Sequence, residues 1–79
     1  MTSFTVRNGR RYRATISLGW LERLAGNDVI AAKLRDAGFR DVRVSGSGAT
    51  RLAEATWPGE EVTGQMPSQI TEITEIAEG

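Results

Sequence analysis

The chain contains no cysteine and no histidine. The first absence removes disulfides, thiolate nucleophiles and every zinc site built on sulfur. The second removes the commonest general base. No stretch approaches the roughly 18 to 20 apolar residues that span a bilayer, and residues 1–25 hold no apolar run of signal-peptide length. A cytoplasmic chain, or part of a larger particle, is expected, with no membrane contact. Catalysis by carboxylates alone would need two positioned acids. The candidates Glu54, Glu60 and Glu61 flank a predicted turn, where acids ordinarily serve to solvate it. The expectation is a chain that is not an enzyme and carries no cofactor or metal.

What the chain does have is a lopsided charge distribution. At 79 residues and net charge zero, residues 1–51 hold all ten basic side chains, nine of them arginine, against Glu22, Asp28, Asp36 and Asp41. Residues 52–79 hold six glutamates and nothing basic. The two parts therefore carry +6 and −6. A chain this short supports one core and buries only about 60% of the surface its unfolded form exposes, so association with a partner would add to its stability.

Hydrophobic spacing predicts an α+β fold: β-hairpin, helix, β-hairpin (ββαββ), with one helix packed on an antiparallel or mixed sheet, plus a short C-terminal element. Phe4 to Ile16 reads as a hairpin around Asn8-Gly9, with Phe4, Val6, Tyr12, Ala14 and Ile16 on one face. A three-residue loop, Arg7-Asn8-Gly9, with Gly9 left-handed, pairs Val6 with Arg10 and Phe4 with Tyr12. The opposite face then carries Ser3, Thr5, Arg11, Arg13 and Thr15. Leu18 to Ala37 has helical spacing, with a kink or restart at Gly26-Asn27 where Asn27 would cap a second segment and Asp28 sit in its first turn. Gly38 is placed to end that helix in a left-handed conformation, with Phe39 packing back on Leu34.

Asp41 to Ser45 and Ala49 to Trp57 read as a second hairpin, joined by a flexible Ser45-Gly46-Ser47-Gly48 tip. Trp57-Pro58-Gly59 ends the last strand. Residues 1–59 are thus expected to form the domain and 60–79 an acidic C-terminal segment. In that segment Ile70, Ile73 and Ile76 recur at a spacing of three, which suits a helical stripe although isoleucine and threonine favour strands. Glu72 and Glu75 are expected to fold over the arginine face and neutralise it, within the chain or across a dimer.

Binding is accordingly expected of Arg7, Arg11, Arg13 and Arg43, whose guanidinium forks grip carboxylates or phosphates, with Trp20 as an interface anchor if it is exposed. Another protein, or a second copy of the chain, is the expected partner. Nucleic acid is the alternative, although Phe4 and Tyr12 fall on the buried face and leave no aromatic for base stacking.

The residues Tyr12 to Trp20, Ile30 to Phe39, Val42-Arg43-Val44 and Ala49 to Trp57 resemble the SPOR (sporulation-related repeat) family over residues 11–58. The resemblance implies a strand, helix, strand, strand order and binding of peptidoglycan by an exposed sheet groove. The chain departs from the family in an extra N-terminal strand and in lacking a second helix followed by a closing strand. In length and style it also resembles small phage-encoded accessory or virion proteins.

Overall fold

The computed structural model describes residues 3–19 and 24–76, and shows an α+β domain with one helix and six strands among them. In chain order these are β1 (Ser3–Val6), β2 (Arg11–Ser17), α1 (Asn27–Asp36), β3 (Arg40–Ser47), β4 (Thr50–Thr56), β5 (Val62–Gln65) and β6 (Ile70–Ile76). Four strands form one antiparallel sheet in the order β3-β4-β2-β6, and β1 and β5 form a separate antiparallel ribbon. Strands β2 and β3, joined through α1, lie either side of β4, which is a split βαβ arrangement.

The expected first hairpin does not form as a ladder. Both edges of β2 are already taken, by β4 on one side and β6 on the other, so β1 has no edge of β2 to join. It pairs instead with β5, Phe4 opposite Gly64 and Val6 opposite Val62. The predicted turn survives in part: Gly9 is left-handed (φ 73°) and the Arg10 N–H donates to the Arg7 carbonyl. Phe4 still meets Tyr12, through an edge-on ring contact at 5.4 Å rather than strand pairing. The Tyr12 hydroxyl also accepts the Arg7 N–H at 2.7 Å, tying the ribbon to the sheet.

The helix is shorter than its apolar spacing suggests. It begins at Asn27 after Gly26, and residues 20–23, including Trp20 and the first part of the expected stripe, lie outside the described residues. Asn27 does not cap α1; Gly26 holds the cap position and no side chain bonds there. The Asn27 amide is directed at the β3–β4 turn, donating to the Gly46 carbonyl at 3.0 Å and accepting from Arg51 at 2.7 Å. Asp28 does lie in the first turn. At the far end Gly38 takes φ 113°, and the Phe39 N–H donates to the Leu34 carbonyl, a left-handed stop as expected.

A Cβ on Gly38 would stand 3.0 Å from Cζ3 of Trp57, whose ring also packs against Phe39 at 5.1 Å. Strain at a positive φ and a steric conflict with an aromatic ring coincide. Gly38→Ala is expected to cost about 2 to 3 kcal/mol, read as a lower urea midpoint with an unchanged slope.

The core is formed where α1 crosses the sheet. Ile30 and Ala31 of the helix, Tyr12 and Ile16 of β2, and Ala53 and Ala55 of β4 are buried. The small alanines leave room for the helix to lie close. The β3–β4 turn falls at Gly48-Ala49, so Ser45, Gly46 and Ser47 belong to β3 and the expected flexible tip is strand.

Strand β6 resolves the conflict between isoleucine spacing and isoleucine propensity. Ile70 lies opposite Ile16 and Ile73 opposite Ala14, and the register against β2 shifts between Thr15 and Ile16. That bulge absorbs one residue at Thr71, so two isoleucines three apart share the helix-side face. Ile76 then falls opposite Arg11, on the other face.

Candidate functional site

The helix lies on one side of the four-stranded sheet, no described element packs on the opposite face, and cross-strand pairing fixes which side chains share it. One row across the sheet runs Arg40, Thr56, Arg11, Ile76; the next runs Arg43, Glu54, Arg13, Thr74; a third runs Ser45, Leu52, Thr15, Glu72. The alternation of β2, with Tyr12, Ala14 and Ile16 turned to the helix, is what sends Arg11 and Arg13 outward. On β3 a register shift between Arg40 and Arg43, with Asp41 at φ 51°, returns both arginines to the same face although they are three apart.

Glu54 organises the centre of this face. Arg13 donates to its Oε2 from Nε at 3.3 Å and from a terminal nitrogen at 3.2 Å, a fork on a single oxygen. Arg11 Nε lies 3.7 Å from Oε1, while its other end donates to the Asp41 carbonyl and the Thr56 hydroxyl. One half-buried carboxylate therefore holds two guanidinium groups upright. Arg40 and Arg43 make no ion pair with any described residue. Leu52, in the row beside the arginines, is an exposed apolar side chain.

Of the expected site residues, Arg11, Arg13 and Arg43 are brought together. Arg7 is not: it follows β1 and faces Glu61 at 3.7 Å, both well exposed. Trp20 lies outside the described residues. Arg40 was not singled out, because only the bulge after it turns its side chain to the arginine face. Glu54, whose place in the sequence suggests a solvated turn acid, is instead the pivot of the patch in mid-strand. Within one chain, Glu72 and Glu75 form no ion pair with the arginines of this face. Glu72 pairs across from Thr15, and Glu75 lies on the helix side, within 3.3 Å of the Tyr12 hydroxyl.

Two open hollows of 390 and 380 Å³ adjoin Leu34 and Ile70 between helix, ribbon and sheet. Lys33 is the one ionisable side chain among their described lining residues. No group of three or more potential metal ligands occurs among the described residues, and no helix there is long and apolar enough to cross a membrane.

No family model, curated protein or solved structure matches this chain.

Proposed function

We propose that this chain is a small non-catalytic protein-binding or structural accessory module, whose contact surface is the bare arginine-bearing face of its four-stranded sheet and whose partner presents carboxylates. The observation that carries this reading is the imbalance on that face. Four arginines share it with Glu54 and Glu72, Glu54 is committed to Arg11 and Arg13, and Arg40 and Arg43 have no carboxylate among the described residues. Exposed guanidinium groups beside an exposed leucine suit an acidic protein surface, with charge steering the encounter and Leu52 supplying apolar contact. Single-stranded nucleic acid is less favoured because none of the rows across this face holds an aromatic ring for base stacking. The cytoplasm or a virion, and a phage accessory role, are the settings this reading suits.

The test is a pull-down from bacterial lysate with the tagged chain, with and without nuclease, at low and high salt, beside an Arg13→Glu, Arg40→Glu double variant. Recovery of one protein near equal stoichiometry, surviving nuclease and lost in the double variant, is expected. Recovery of nucleic acid alone, falling steeply with salt, would replace the protein reading with phosphate binding. Co-sedimentation with purified peptidoglycan in place of a protein would instead favour the glycan binding that the SPOR resemblance implies.

A further inference from the structure

The four-stranded sheet ends in two open edges of opposite charge. Strand β3 carries Arg40 and Arg43 against Asp41, and β6 carries Glu72 and Glu75 with no basic residue. Among the described residues neither outer edge pairs with another strand. An open edge presents a row of backbone donors and acceptors that another strand can complete.

We propose that β6 of one copy of this chain docks on β3 of the next, so that copies assemble head to tail through one continuous antiparallel sheet. Three observations converge on a second copy as the occupant. Four strands alternating in direction leave β3 and β6 running oppositely, so copies in the same orientation meet antiparallel at every junction. The edges that meet are basic and acidic, whereas two-fold docking of β6 on β6 or β3 on β3 would set like charges side by side. Finally, Arg43 and Glu72 are both exposed, lie on the same face of the sheet, and have no ion-pair partner among the described residues. A register that sets Glu72 opposite Arg43 joins them directly.

The bulge between Arg40 and Arg43 confines the regular part of the β3 edge to Arg43 through Ser47, and the bulge at Thr71 confines that of β6 to Glu72 through Ile76. The junction is therefore short, and its strength rests on the charge pair, which makes it sensitive to salt. Because the two surfaces differ, association does not stop at a dimer but continues to a closed ring or an open filament.

Sedimentation velocity of the full chain across concentration, at low and high salt, tests this with Glu72→Lys and Arg43→Glu variants whose fold is checked by circular dichroism. The wild type is expected to grow beyond a dimer at low salt. Each variant alone should associate on the order of tenfold or more weakly, from like charges placed across the junction. Mixing the two variants should restore association, since lysine at 72 then meets glutamate at 43. A wild type that stays monomeric at every concentration, growth that stops at a dimer, or a mixture no better than its components would overturn the proposal. Glu72→Lys leaves Arg13 and Arg40 in place, so loss of assembly with the lysate partner retained separates this proposal from the one above.

Discussion

Truncating the chain after Gly64 is expected to abolish cooperative folding, seen as loss of a sigmoidal thermal transition in circular dichroism. The truncation removes β6, which completes one whole side of the central strand β2. With it go Ile70, which packs on the Ile16, Ile30 and Ala53 cluster, and Ile73 opposite Ala14. Full burial of an isoleucine contributes about 1.5 to 3 kcal/mol, and these two half-buried ones contribute roughly half of that each. The backbone bonds of the β2–β6 ladder add about 0.5 to 1.5 kcal/mol apiece. A chain of this size has a total stability of only roughly 4 to 12 kcal/mol. The loss therefore equals or exceeds what holds the fold together. A truncated chain that still melts cooperatively near the parent temperature would show that the β6 ladder contributes little.

The second large effect is expected at Arg51. Its side chain is only 5% exposed, on the helix side of β4 beside Ile16 and Gly46. Its Nε donates to the Gly48 carbonyl at 3.1 Å and a terminal nitrogen donates to the Asn27 side-chain oxygen at 2.7 Å. With the Asn27–Gly46 bond this forms a clamp between the start of α1 and the β3–β4 turn. The clamp fixes the helix at an end that has no capping side chain of its own. Hydrogen bonds to a charged group are worth about 1.5 to 3 kcal/mol, and removing one partner also leaves the others unsatisfied. Arg51→Ala should therefore cost about 3 kcal/mol and lower the melting temperature by roughly 10 to 20 °C. Asn27→Ala should cost less, because Arg51 keeps its turn carbonyl. Equal stability of Arg51→Ala and the parent would mean that the clamp forms without consequence.

What could be read from the sequence was local. Gly9, Gly38 and the helix start at Gly26-Asn27 act through backbone conformation within a few residues, and each lies where the sequence suggests. The α+β class and the helix packed on an antiparallel sheet follow from the same short-range spacing. Partner choice between strands was not legible in this way. Phe4 and Val6 have the alternation expected of a hairpin with β2, and the sequence nowhere records that residues 70–76 compete for the same edge. The bulges at Thr71 and after Arg40 were hidden for a related reason. A single inserted residue flips the face of everything beyond it, so strict period-two reading misplaces Ile73 and omits Arg40 from the arginine patch. Arg51 was invisible because arginine is ordinarily a surface residue, and its partners at the turn and helix start meet it through tertiary structure.

The position of β2 at the centre of the sheet has a consequence for how the chain acquires its structure. Arg11 pairs with Thr56 on one side and Ile76 on the other, so the central strand precedes in sequence both strands that complete it. The α1–β3–β4 unit closes over short sequence distances and can form first. Near the ribosome, with translation at about 5 to 20 residues per second, β2 waits with an edge unsatisfied until residues 70–76 emerge. Pairing over such separations slows folding relative to local contacts. Until β6 docks, that open edge of β2 is available to pair with other chains.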